Sequence, residues 1–130
     1  MTDQLSLHHP HRDRIGHVQV YIREHIDEPL KRETLAAVAC FSVPHLHRIF
    51  IACTGTSIAS YIRHVRMERA GRKLRMGAVD ITEVALAAGY HTHTAFSKAF
   101  KQQYGLTPSD FRQLDCRTAS QIVRKGQASS

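Results

Sequence analysis

Apolar residues recur at helical spacing almost from the start of this chain. Ile15, Val18, Ile22 and Ile26 lie three or four positions apart and line one face of a helix predicted over Arg14–Asp27, with Asp13 placed to cap its start and Pro29 beyond its end. Leu35, Ala36 and Val38 mark a short buried helix over Arg32–Cys40. Phe41 follows, and Ser42 is a good cap for a third helix that carries Pro44 in its first turn, runs to about Cys53 and stops before Gly55. That helix turns Leu46, Ile49 and Phe50 inward, and His45, His47 and Arg48 elsewhere.

The longest predicted helix, Ser57 to about Met76, has two apolar stripes. At about 100° per residue, Ile58, Tyr61, Ile62 and Val65 share one face, whereas Met67, Ala70 and Leu74 cluster on the opposite one. One rod therefore serves two cores, its first half packing backward and its second half forward. Gly77 closes it. Asp80 and Glu83 make a capping-box-like start to a short helix, Ile81–Ala88, ended by Gly89. Thr92 or a neighbour opens a sixth helix in which Phe96, Phe100 and Tyr104 lie four apart before Gly105, and Thr107-Pro108 begins a last short helix carrying Phe111. No stretch alternates with period two, so no sheet is expected.

The segments on either side of the rod repeat each other. Leu35-Ala36 to Phe41 recurs as Val84-Ala85 to Tyr90 at an offset of 49. Leu46, Arg48, Phe50, Gly55 and Tyr61 then recur as Phe96, Lys98, Phe100, Gly105 and Phe111 at an offset of 50, so the second copy has one extra turn residue. Each copy is a short helix, a tight turn capped by Ser or Thr, and a second helix with polar residues facing outward in its first two turns. That is the layout of a helix-turn-helix, whose second helix enters the major groove and reads base edges near its N-terminus. The expected fold class is all-α, about seven helices in two helix-turn-helix subdomains joined by a long linker helix. Residues 1–12 read as a disordered lead-in, 13–56 as the first subdomain, 57–77 as the linker, 78–114 as the second subdomain and 115–130 as a flexible polar tail.

Charge sharpens this picture. The chain carries 18 Lys and Arg against 11 Asp and Glu, a formal charge of +7 with ten His counted neutral. Residues 1–43 sum to −1 and residues 80–114 to zero, whereas Arg48, Arg63, Arg66, Arg69, Arg72, Lys73 and Arg75 against Glu68 alone give +6 over residues 44–79. The positive charge thus sits on the third helix and the rod, where a polyanion would be held. Below about pH 6.5 the histidines would add to it. Cys40, Cys53 and Cys116 are an odd number without C-x-x-C spacing, which suggests neither a disulfide framework nor a cysteine-rich zinc site and fits a reducing cytoplasm. Cys40 and Cys53 occupy positions that read as buried. The longest apolar run, Leu35 to Phe41, is far short of the roughly 20 residues of a membrane span, so no membrane partner is expected.

Gly89-Tyr90, Phe96-Ser97-Lys98-Ala99-Phe100-Lys101, Gly105-Leu106-Thr107-Pro108 and Phe111-Arg112 closely resemble the signature of AraC/XylS-type transcription regulators. The first half agrees through Leu35-Ala36, His45-Leu46, Arg48, Phe50, Thr54-Gly55, Tyr61-Ile62 and Arg66-Met67 with Ala70 and Leu74, so the resemblance covers about residues 14–114. It implies a two-lobed domain of seven helices that reads double-stranded DNA as a monomer, placing its third and sixth helices in successive major grooves about 34 Å apart. In size and plan the chain is similar to members without an effector-binding domain; the alternative is a DNA-binding fragment of a larger effector-regulated regulator.

By that resemblance Pro44, His47 and Arg48 face bases from the first reading helix, and His93, Thr94, Ser97 and Lys98 from the second. Phosphates fall to the helix starts at Ser42, Thr92 and Thr107 and to Arg63, Arg66, Lys101 and Arg112. Arg48 is the strongest base-reading candidate, because a guanidinium can donate two bonds to guanine. Lys98 stands where many members have Arg, Ile51 where Lys is frequent, Ala95 where a larger side chain is common and His91 where a small polar one is. Contact with RNA polymerase, activation of transcription and a cytoplasmic, nucleoid-associated location are implied by the family alone.

Three other function classes fit the residues less well. No G-x-S-x-G, H-E-x-x-H, phosphate loop or convergent carboxylate pair is present, so an enzyme is not expected, nor any cofactor. His45-x-His47 and His91-x-His93 would suit a metal-responsive protein, but histidines two apart on a helix diverge and no third ligand is evident, so no metal is assigned. A helical adaptor for an acidic protein fits the charge but leaves the repeated capped turns unexplained.

Overall fold

The computed structural model describes residues 10–76, 80–114, 117, 118, 121, 122 and 124. Among them are seven helices and no strand: α1 (Pro10–Glu24), α2 (Arg32–Ala39), α3 (Val43–Thr54), α4 (Ile58–Arg75), α5 (Ile81–Ala87), α6 (His93–Tyr104) and α7 (Pro108–Arg112). Gly77, Cys116 and residues 1–9 of the expected lead-in lie outside the described residues.

Two boundaries of α1 differ from the expected ones. It begins at Pro10, so residues 10–12 are helical rather than lead-in, and Asp13 lies in its first turn instead of capping it. A proline at a helix start lacks only an N–H that has no helical partner, and an acidic first turn suits the positive end of the dipole. At the other end the helix stops at Glu24; the His25 N–H still bonds to the Tyr21 carbonyl at 3.0 Å, while the His25 ring donates through Nδ1 to the same oxygen at 2.9 Å and stacks on the Tyr21 ring at 3.9 Å. Ile26 remains buried in the turn that follows.

The chain divides into two compact units, Met1–Ile62 and Arg63–Ser130, with the division inside α4. The first unit buries Ile15, Val18, Ile22, Ile26, Leu35, Ala36, Ala39, Leu46, Phe50 and Ile58. Tyr61 packs edge-on against Phe50, ring centres 5.7 Å apart, and accepts a bond from Arg23 Nε at 3.0 Å. The second unit has one core of Met67, Ala70, Leu74, Val84, Ala85, Ala88, Phe96, Phe100, Tyr104 and Phe111. Phe100 lies edge-on to both Tyr104 and Phe111, at 4.8 and 5.2 Å. The double stripe read from the sequence of α4 thus puts Met67, Ala70 and Leu74 where it assigned them.

The tail differs from a free polar segment at the positions described. Residues 117, 118, 121, 122 and 124 have helical backbone, and Ile122 packs against the second core beside Leu114. Contact of Ile122 with that core gives this otherwise mostly polar stretch an apolar anchor.

Candidate nucleic-acid interface

The repeat in the sequence is a repeat in backbone geometry. After α2, Phe41 N–H bonds to the Ala36 carbonyl at 3.0 Å and Cys40 N–H to Ala37 at 3.1 Å; after α5, Tyr90 N–H bonds to Ala85 at 2.9 Å and Gly89 N–H to Leu86 at 3.0 Å. Both are the paired 6→1 and 5→2 bonds of a Schellman turn, which needs a left-handed residue just past the helix. Gly89 supplies it at φ 95°, and Cys40 adopts φ 59°. This corrects the expectation that Cys40 is a buried last residue of α2. It is the exposed turn residue, and Cys53, on the outward side of α3, is exposed as well.

The second helix of each copy starts alike. Ser42 Oγ accepts from His45 N–H at 3.3 Å, and Thr92 Oγ1 from Ala95 N–H at 3.0 Å. Thr107 Oγ1 caps α7 in the same way by accepting from Asp110 N–H at 3.2 Å. Gly55 and Gly105 end α3 and α6 with φ 79° and 82°. Each cap hydroxyl, having accepted one bond, keeps its hydrogen to donate to an incoming anion.

Burial of Leu46 and Phe50 turns the opposite stripe of α3 outward, exposing Pro44, His47, Arg48, Ile51 and Ala52. On α6, Phe96, Phe100 and Tyr104 are buried while His93, Thr94, Ala95, Lys98 and Lys101 are exposed and Ser97 is half-buried. The candidate base-reading residues therefore gather on the outward side of the first two turns of each helix. Ser97 is the least accessible of them. Among the phosphate candidates Ser42, Thr92, Arg63 and Lys101 are exposed, whereas Arg66, Thr107 and Arg112 are half-buried. Among the described residues no three His, Cys, Asp or Glu side chains converge as a metal site. No single helix among them is long and apolar enough to cross a membrane.

One cluster escaped the sequence reading. His11 and His45 both meet the Phe41 ring edge-on, at 5.3 and 4.7 Å, and lie 5.7 Å from each other. The Arg14 guanidinium covers Phe41 at 5.2 Å, and Arg48 Nη2 reaches His45 Nδ1 at 3.4 Å. The helical turn 10–12 brings His11 there. Pro10, at a helix start like Pro44 and Pro108, was the available signal.

The second unit holds its polar groups more deeply. His64 Nδ1 accepts from Gln103 Nε2 at 2.7 Å, and burial lowers its pKa from the ordinary imidazole value, opposed by nearby Glu68 and helped by Arg63. Burial, and then the charge of Glu68, hold the Tyr104 hydroxyl well above the usual phenol range.

Residues 35–114 match the family model described as a helix-turn-helix domain, which gives the class of protein. The chain is 34% identical to the regulatory protein SoxS of Escherichia coli K12 over 102 residues, 78% of this chain and 95% of that one. A solved regulator with an AraC-type DNA-binding domain from Chromobacterium violaceum superposes with a TM-score of 0.71 at 25% identity, over 77% of this chain and 89% of the other. The DNA-binding domain of the global transcriptional factor AdpA, solved in complex with a target DNA, matches with a TM-score of 0.65 at 30% identity over 75% and 88%. The chain spans about a third of another relative, the right origin-binding protein of Escherichia coli K12, with 36% identity over 93 residues and 32% of its length. The chain belongs to the AraC-type family of helix-turn-helix transcription regulators.

Proposed function

We propose that the chain regulates transcription by sequence-specific binding to double-stranded DNA, with α3 and α6 as its two recognition helices. The observation that carries this reading is the twin construction of α2–α3 and α5–α6: the same Schellman turn, the same hydroxyl cap and exposed polar residues within the first two turns. The described relative solved with its target DNA has the same fold. In the proposal Pro44, His47 and Arg48 meet one major groove, and His93, Thr94, Ser97 and Lys98 the next, as a monomer on an asymmetric site. Backbone N–H groups at Ser42, Thr92 and Thr107, with Arg63, Arg66, Lys101 and Arg112, take phosphates. Activation through RNA polymerase and a place in the cytoplasm on the nucleoid complete the reading by family analogy; no catalytic role is assigned.

Selection from random duplexes should return two short blocks about one helical turn apart. Arg48→Ala should erase preference in one block only, and uniform weakening over all sequences would assign Arg48 to phosphate instead. Affinity that stays flat from low to high salt would refute the DNA reading altogether.

A further inference from the structure

Arg48 is on the exposed face of α3, where an unrestrained guanidinium would sample many rotamers. Its Nη2 instead lies 3.4 Å from Nδ1 of His45, one helical turn earlier. Arginine has only donors, so Nδ1 must be the acceptor, which puts the imidazole hydrogen on Nε2 and leaves the ring neutral. His45 is itself held. Its ring stands at 86° to Phe41 and 80° to His11, and its backbone N–H is taken by the Ser42 cap. The half-buried imidazole is therefore a fixed bracket between the turn, the first turn of α1 and the arginine.

We propose that His45 is a positioning residue that presents Arg48 to the bases, and that its protonation releases Arg48 and relaxes sequence preference in the block read by α3. The inference rests on the proposed base contact of Arg48. An imidazolium has no acceptor, so the bond to Nη2 is lost, and two like charges then face each other. Against His45 and the Phe41 ring stand His11 and Arg14, both from α1. Arg14 has donors only, and an imidazolium at His11 would likewise have no acceptor, so neither takes over as an acceptor for Arg48.

The second repeat provides an internal comparison. The position equivalent to His45 is Ala95, which offers Lys98 no acceptor. Acidification should therefore act on two quantities in opposite senses. General affinity for DNA rises as histidines gain charge, while discrimination falls in the α3 block alone.

The test uses the full chain and the duplex returned by random selection, with single base-pair changes in either block, titrated by fluorescence anisotropy at pH 8 and pH 6 and constant ionic strength. Wild type should lose at least about fivefold discrimination at one base pair of the α3 block on acidification, the low end of what a bidentate arginine contact supplies. The α6 block should hold its discrimination. His45→Gln, whose amide oxygen can still accept from Arg48 but does not titrate, should keep discrimination at both pH values, and His45→Ala should show the acid level at both. If Arg48→Ala leaves the α3 block unchanged, the base contact itself is wrong. If Arg48→Ala erases preference but wild type discriminates equally at pH 8 and 6, or both blocks relax together, the positioning role of His45 is overturned. The wild-type pH profile decides this even if a His45 variant fails to fold.

Discussion

Cys40 is the one described non-glycine residue with positive φ, at φ 59° and ψ 39°, and its counterpart in the second copy is Gly89 at φ 95°. An L-residue in this left-handed region carries roughly 1–2 kcal/mol of steric cost, which glycine escapes. Glycine also has more freedom to lose on folding, about 0.5–1 kcal/mol. The Cys40 side chain is exposed, so little packing is lost with it. Cys40→Gly should therefore stabilise the protein by about 0.5–1 kcal/mol. Gly89→Ala should destabilise it by a similar amount, because the added Cβ would have only Arg66 Nη1 nearby, at an ordinary 3.7 Å, leaving the backbone to set the sign. Urea denaturation followed by far-UV circular dichroism is the assay, since the chain has no Trp. Cys40→Ser keeps the Cβ while removing the thiol, and should stay within about 0.5 kcal/mol of wild type. A glycine variant no more stable than the serine one, or an unperturbed Gly89→Ala, would refute the claim that the two turns share one conformational requirement.

Three further outcomes rest on caps and buried side chains. Ser42→Ala and Thr92→Ala each remove a capping acceptor at a reading helix and should cost about 1 kcal/mol in the same urea assay. The Tyr104 hydroxyl is buried without a well-formed hydrogen bond, so Tyr104→Phe should be neutral or slightly stabilising, against the usual loss for a deleted bonded hydroxyl. His64 is held neutral in the fold, so stability is complete above the unfolded imidazole value of about 6.5 and declines as pH falls toward the lower folded value, since the unfolded chain then binds the extra proton. His64→Gln should flatten that part of a stability-versus-pH curve, and an unchanged curve would place the acid sensitivity elsewhere.

Local chemistry made most of the fold legible. Caps at Ser42, Asp80, Thr92 and Thr107 accept the bonds their positions predict, because capping depends on residues within one turn. The two stripes of α4 were readable because a helix fixes the angle between Ile58 and Met67 whatever surrounds it. Tertiary partners were not readable in the same way. Ile122 was not legible as a core position until a core stood next to it, and the His11–Phe41–His45 cluster joins residues thirty or more positions apart. Cys40 is a different case. The offset of 49 that pairs Leu35 with Val84 also pairs Cys40 with Gly89, so the repeat already contained its left-handed conformation, and hydrophobic character alone pointed to burial instead.

Burial also changes what the charge map means. The +6 counted over residues 44–79 assumes seven equivalent cations, yet on α4 only Arg63 and Arg72 are exposed, while Arg66, Arg69, Lys73 and Arg75 are half-buried. Arg66, Arg69 and Lys73 line a shallow groove with Ala70, Val84, Ala87 and Ala88, so part of each long side chain covers the second core. Removing one of these three therefore subtracts both packing and charge, and a fall in DNA affinity would have two causes. Removing Arg63 or Arg72 subtracts charge with little cover. If each neutralises a phosphate, its loss should lower the salt dependence of binding by about one unit of slope. The exposed pair, not the whole basic stretch, is what measures how far α4 contributes to DNA affinity.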